Sequence, residues 1–325
     1  MSTKLMTGWV LGVLHHPALR RVGQSLLVAF GVMVVSFSVL RLTPGDPALA
    51  ILGDSATLAD IDAMREKLGL NGSVFAQFVD YAGPLLRGDF GSSIVTNQPV
   101  LDLIGASLPV TLQLITLTMV LAISIALLLA VPAAKYRFGV FGLFFRVGTS
   151  VSLSVPVFFS GQLLMLLVAI RWDLLPTGGY RPGFPGNIEY LLLPALTACG
   201  PLVPILVRVL QSSVIDTMGQ AFVETAQVRG LAGPRLVWRY LLRPSLAPTI
   251  ALSSYIVGSL FGAAVVLELV YNLPGIGTRL LAAVFSRDYP VVQGIALVMG
   301  ILVVLVNLVA DLVSGWLDPR AKAVS

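Results

Sequence analysis

AFVETAQVRGLAGPRLVWRYLLRPSLAP, residues Ala221 to Pro248, is a polar and basic break between two apolar runs. Arg229, Arg235, Arg239 and Arg243 crowd into it, and only Glu224 and, just upstream, Asp216 oppose them. Its punctuation predicts two short helices. The first runs from Gln220 to Arg229 and stops at Gly230, which enters the left-handed region without a Cβ penalty. Pro234 suits the first turn of the second helix, where its missing N–H has no intrahelical bond to lose. Leu236, Tyr240 and Leu241 fall on one side of that helix, with Arg235, Arg239 and Arg243 elsewhere. Pro244 and Pro248 are expected to separate it from the next apolar run. Read by themselves, these residues fit either a docking surface between two membrane spans or a solvated loop.

What surrounds this break excludes a soluble protein. Hydrophobic residues make up 56% of the 325 and charged residues 11%, with a mean hydropathy of +0.90. So few charges cannot cover a water-facing surface, and lipid must serve as solvent for much of the chain. The one cysteine, Cys199, lies in an apolar run, which rules out an intrachain disulfide. The net charge of +5 bears on orientation in the membrane rather than on nucleic acid.

Six apolar runs, at 22–40, 108–134, 147–170, 190–210, 248–270 and 291–313, each approach or exceed the roughly 20 residues that cross a bilayer as a helix. The first is longer than the apolar part of a secretory signal and no Ala-x-Ala follows it, so it is expected to be retained. Pro132, Pro156, Pro194, Pro201 and Pro204 interrupt the runs, which membrane helices tolerate where neighbours satisfy the freed carbonyls. Ser254, Gly258 and Gly262 recur at a spacing of four and suit the close approach of another helix, from this chain or a partner.

The most polar segment, 43–107, reads as a small ordered cap beside the membrane. Thr57 with Asp60 three residues on predicts a capped helix with Ile61, Met64 and Leu68 on one face and Gly69 as its stop. A second amphipathic piece follows Ser73, using Val74, Phe78, Tyr81 and Leu85. With the N-terminus placed inside, thirteen of the 21 Lys and Arg residues fall in cytoplasmic segments and the acidic first loop falls outside. That bias supports an all-α membrane protein of six helices with both ends in the cytoplasm.

Several chemistries are missing. None of the lysines at 4, 67, 135 and 322 belongs to a Gly-x-x-x-x-Gly-Lys-Ser/Thr loop, so ATP is not bound that way. There is no Gly-x-Ser-x-Gly elbow. His15 and His16 have no nearby Cys or Asp and do not make a metal site. The charges in or beside the runs are Arg41, Arg208, Glu268 and Asp311, all toward span ends where a side chain can reach interfacial water. Glu268 precedes YNLPGIG, in which Asn272, Pro274, Gly275 and Gly277 specify a tight, irregular turn at the outer face. Backbone of that kind at a membrane edge is expected to line a cavity.

With these residues in view, the chain resembles the permease subunit of a bacterial ABC importer of the dipeptide/oligopeptide/nickel class, specifically the B-type permease. Glu224-Thr225-Ala226 followed by Gly230 is similar to that family's Glu-Ala-Ala motif. RLTPGDPA (41–48), LRGDFGSS (86–93), LPVTLQL (108–114), LPTGGY (175–180), ELVYNLPGIG (268–277), RDYPVVQG (287–294), VNLVADL (306–312) and LDPR (317–320) add matches in order along the chain. Thr225 departs from the motif, and Arg243 stands where the general importer motif has proline, with Pro244 one later.

The resemblance implies a type I importer transmembrane domain. It divides the chain into a tail, first helix and extracytoplasmic cap over 1–107, a five-helix core over 108–313 with a cytoplasmic coupling loop at 211–247, and a tail over 314–325. Glu224, Thr225, Ala226, Arg229 and Gly230 would couple to an ATPase. Glu268, Asn272, Pro274, Gly275 and Gly277 would stand near the path. A homologous C-type permease, two cytoplasmic ATPases that carry ATP and Mg, and an external solute-binding protein are the implied partners, with no cofactor on this chain. Dipeptides are the first expected substrate, then oligopeptides, then nickel or another small solute. An ion-coupled secondary transporter would be expected to show inverted repeats and polar midplane residues; no internal repeat is seen and mid-span charges are lacking. A membrane enzyme would need a nucleophile and base within the spans.

Overall fold

The computed structural model describes residues 17–42, 47–52, 56–67, 69–70 and 72–317. His15, His16 and most of both tails lie outside these residues, as do parts of RLTPGDPA and LDPR. The described residues are helical, with one isolated bridge between Ser92 and Pro99 and no named strand. In chain order the helices are α1 (Pro17–Leu42), α2 (Pro47–Leu52), α3 (Leu58–Lys67), α4 (Val74–Leu86), α5 (Val100–Lys135), α6 (Val140–Ser154) and α7 (Val157–Leu164). They continue with α8 (Gly186–Met218), α9 (Ala221–Val228), α10 (Gly233–Leu236), α11 (Arg243–Val270), α12 (Ile276–Phe285) and α13 (Tyr289–Leu317). Wider π turns extend α7 over Met165–Arg171 and join α10 to α11 over Val237–Leu242.

Three stretches are long and apolar enough to cross a bilayer, Val100–Lys135, Gly186–Met218 and Tyr289–Val309. Two bent pairs bring the number to five by length and composition. Within α1 the apolar stretch among the described residues is Leu26–Ser38. The run at 147–170 is not one straight helix as expected. α6 and α7 meet at 103° across Val155 and Pro156. Val155 sits at φ −82°, ψ 124°, the extended geometry that the ring of a following proline imposes.

A second difference concerns Pro244 and Pro248. They do not separate a short helix from an apolar one: α10, the π turn and α11 are helical through both prolines, and the 46° bend of this stretch falls later, between Ser253 and Tyr255. Pro244 falls in the first turn of α11, where the preceding π turn has already shifted the hydrogen-bond register.

The chain divides into two compact units. One comprises Met1–Leu108 and Arg279–Leu308. In it α3 begins as the sequence predicts: Thr57 N donates to the Asp60 carboxylate at 3.2 Å and Asp60 N returns a bond to Thr57 Oγ1 at 3.2 Å. Thr57 Oγ1 also donates to the carboxylate at 2.6 Å, and this bond, with that from Thr57 N, holds the Asp60 carboxyl below the usual carboxylate range. Ser73 caps α4 by accepting from Ala76 N. The stripe on α4 differs from the expected one, because Val74 is exposed while Gln77 is buried and donates to Leu70 O and Gly72 O. Phe78 packs edge-on against Phe37 of α1, with centroids 5.1 Å apart. Tyr81 donates to Ser36, and Ser36 in turn exchanges bonds with Gln293 of α13.

The other unit comprises Pro109–Thr278 and Val309–Ser325. Its main core gathers Val110 and Leu114 of α5, Leu191, Ala195 and Ala198 of α8, and Ala264 and Leu267 of α11. The alanines let helix backbones approach closely, which is how helices associate when lipid is as apolar as their side chains. A second cluster joins Ala130 and Ala134 to Leu210, Val214 and Leu242. α8 stays helical through Pro194, Pro201 and Pro204. Pro204 cannot bond Gly200 O, and Ser152 Oγ donates to that carbonyl instead.

Candidate functional site

Two constellations from the sequence reading are assembled in the second unit, each around the C-terminus of a helix. The first is α9. Gln220 is its extended N-cap and Arg229 its C-cap. Gly230 follows at φ +78°. Gly230 N bonds Gln227 O at 2.9 Å, and Leu231 N bonds Ala226 O at 3.0 Å. This pair is the Schellman arrangement, and it needs a left-handed residue where Gly230 stands. Val223 and Ala226 are buried, three residues apart on one face. Glu224, Thr225, Gln227, Val228 and Arg229 are exposed. Of the residues predicted for coupling, Ala226 therefore seats the helix, while Glu224, Thr225 and Arg229 are presented outward.

The ends flanking α9 are tied together. Thr217 Oγ1 at the end of α8 lies 3.0 Å from Ser245 Oγ, which also donates to Leu241 O. Ser245 is fully buried. Arg229, Arg235, Arg239 and Arg243 are exposed, and none of the four is ion-paired with a described residue. Trp238 is 57% exposed beside them. A seated helix with a basic, partly aromatic surround is suited to receive another protein.

The second constellation closes α11. Tyr271 is the C-cap, and Asn272 takes the left-handed place at φ +50°. Leu273 N bonds Glu268 O at 2.8 Å, and Asn272 N bonds Leu269 O at 3.4 Å. Asparagine serves here because its short polar side chain tolerates this region better than most. The place of Glu268 near a helix end suggests contact with water, but its side chain is fully buried. Its carboxylate accepts from Thr111 Oγ1 of α5 and, at 2.9 Å, from Thr278 N of α12's first turn. Thr111 Oγ1 itself accepts from Ile276 N at 2.9 Å. No basic side chain among the described residues pairs with Glu268.

The glycines of the turn are explained by this carboxylate. A Cβ on Gly275 would collide with the Glu268 carboxyl group, and one on Gly277 would press on Val265 and the same carboxyl. Asn272 and Pro274 face outward, whereas Gly275 and Gly277 are buried. The turn is thus stapled from within by hydrogen bonds rather than held open by charge.

Sequence reasoning missed the partners. Tyr271 Oη lies 2.7 Å from Thr197 Oγ1 and donates to Gly161 O at 3.0 Å. Gly179 N donates to Tyr271 O at 2.9 Å, and a Cβ on Gly178 would strike that same carbonyl. Next along this loop, Tyr180 Oη donates to Gln113 Oε1 at 2.9 Å, as does Asn187 Nδ2 at 2.7 Å. Three stretches far apart in sequence, LPVTLQL, LPTGGY and ELVYNLPGIG, therefore meet in one polar knot. In the other unit LRGDFGSS and RDYPVVQG meet likewise: Asp288 accepts from Ser93 Oγ and from Ile94 N. Each stretch stands out locally by its glycine, proline or polar residues, but no local pattern pairs one stretch with another.

Residues 122–323 match the family described as binding-protein-dependent transport system inner membrane component, and residues 15–115 match the N-terminal region of such membrane components. Among curated proteins, the chain is 33% identical over 307 residues to a probable peptide ABC transporter permease of Sinorhizobium fredii, covering 94% of this chain and 98% of the relative. It is 30% identical over 310 residues to an oligopeptide transport system permease of Bacillus subtilis, with the same coverages. A probable D,D-dipeptide transport system permease of Escherichia coli is 33% identical over 319 residues, covering 91% of this chain and 94% of that one.

Proposed function

The chain belongs to the family of binding-protein-dependent transport system inner membrane components, and we propose that it is the permease subunit of an ATP-driven importer of di- or oligopeptides. The observation that carries this reading is similarity running nearly end to end with proteins named as peptide permeases, more than nine-tenths of each chain being covered. In this reading six helices cross the inner membrane with both termini in the cytoplasm, and α6 with α7 forms one strongly bent crossing. A homologous permease completes the path, a solute-binding protein delivers the peptide from outside, and two partner ATPases bind ATP and magnesium.

The geometry suits a division of labour. α9 presents Glu224, Thr225 and Arg229 to an ATPase groove, with the buried Val223 and Ala226 as the face through which its displacement passes to the rest of the unit. Gly230 fixes where that lever ends. On the opposite face of the membrane, the Glu268 staple holds α5, α11 and α12 in register, so that movement begun at α9 arrives at a rigid turn. Uptake of a labelled dipeptide into cells with and without the chain, with ATP depletion as a control, tests the reading. Loss of ATP-dependent uptake on deletion is the expected result. Unchanged uptake of dipeptides and of longer peptides would overturn the peptide assignment.

A further inference from the structure

Between α5 and α6 lies a short basic turn that the transport reading does not use. Lys135, Arg137 and Arg146 occur within twelve residues, and no Asp or Glu occurs anywhere from 103 to 172. All three basic side chains are exposed. Arg146 Nη1 donates to Arg137 O at 3.1 Å, which brings the two guanidinium-bearing segments to the same side of the turn. Gly142 permits this fold-back, because a Cβ there would collide with the backbone of Arg137.

Aromatic rings are interleaved with the cations. Lys135 Nζ stands 5.3 Å from the Tyr136 ring centroid, and Arg137 Cζ 4.8 Å from that of Phe138. Phe138 is 81% exposed and Phe144 74%. The turn joins α5, whose apolar length suits a full crossing, to the bent pair α6 and α7. A connection between two such segments has to leave the hydrocarbon, since its free backbone groups need polar partners. It therefore sits at the headgroup layer, where exposed aromatic rings and cations are both at home.

We propose that Lys135, Arg137 and Arg146, flanked by Phe138 and Phe144, form a binding site for the headgroup of an anionic phospholipid. The charge is complementary and unopposed, and the rings would lie along the upper acyl chains while the cations hold the phosphate. A free phosphate would use the cations but leave the rings in water, so the arrangement favours the lipid. The inference rests on reading α5 and α6–α7 as membrane segments, and it is independent of which solute is carried.

The test is native mass spectrometry of the full chain in detergent, titrated with dioleoyl phosphatidylglycerol or dioleoyl phosphatidylcholine. Phosphatidylglycerol is expected to bind at least about tenfold more tightly, with on the order of fivefold lost for each cation removed. K135Q/R137Q/R146Q is expected to lower phosphatidylglycerol binding to the level of phosphatidylcholine. R171Q/R181Q, which removes two cations elsewhere, is expected to leave it unchanged. Equal binding of the two lipids by the unaltered chain would overturn the proposal without requiring any variant to fold. So would equal losses in the two variants, or displacement of the lipid by millimolar inorganic phosphate. ATP-dependent peptide uptake is scored separately, so failure here is distinguishable from failure of the transport reading.

Discussion

The helix ending at Val228 and the helix ending at Val270 close with the same two hydrogen bonds, yet the acidic residue near each end has the opposite fate. Glu224, before Gly230, is exposed on a short helix seated by only Val223 and Ala226. Glu268, before Asn272, is buried, with Thr111 and Thr278 donating to it. One end leaves its acidic side chain exposed on the surface of its unit. At the other, the buried carboxyl is met from within the chain by Thr111 Oγ1 and Thr278 N, while Thr278 Oγ1 is buried without a partner among the described residues. A buried carboxyl costs little only when its bonds are made, which is why Thr111 and the close-packed Gly275 and Gly277 surround the second end and nothing comparable surrounds the first.

The largest effect that would sharpen this contrast is at Glu268. Glu268→Ala abandons buried donors on Thr111 and Thr278, at about 1–3 kcal/mol for each unmade bond. A clear fall in the thermal midpoint of the detergent-purified chain is expected. Gly275→Ala alone is also expected to destabilise, by about 1–3 kcal/mol, because the new methyl meets the carboxyl. In the Glu268→Ala background that collision is gone, so the two losses are expected to fall short of additivity. Additive losses would break the staple account.

A smaller effect separates the two left-handed positions. Gly230→Ala meets no atom within 4 Å, so its expected cost is the backbone term alone, about 1 kcal/mol. Asn272→Gly removes strain but adds chain entropy, and the expected change is within about 0.5 kcal/mol of zero. Hydrogen exchange at 221–231 and at 268–278 would read both. A large response at Asn272 would mean that its side chain carries a bond the contrast does not include.

How much of this was legible follows from which interactions are local. The α9 helix, its stop at Gly230 and the Thr57–Asp60 cap depend on residues within five positions of one another, and the sequence pattern shows them. The turn after Glu268 was legible as a turn for the same reason. What it turns against was not. Thr111 lies 157 residues from Glu268, Thr197 lies 74 from Tyr271, and Ser93 lies 195 from Asp288. No periodicity announces such pairs. The continuity through Pro244 was hidden because a π turn leaves no compositional mark, whereas the bend at Pro156 had a visible cause whose size, 103°, depends on packing.

The central claim is that α9 transmits ATP hydrolysis into transport. The most direct measurement is the ratio of labelled peptide imported to ATP hydrolysed by the whole transporter carrying Glu224→Lys or Gly230→Glu. Membrane amounts of the chain equal to the unaltered protein, with hydrolysis continuing and uptake lost, are the predicted result. Normal uptake by both variants would contradict the account.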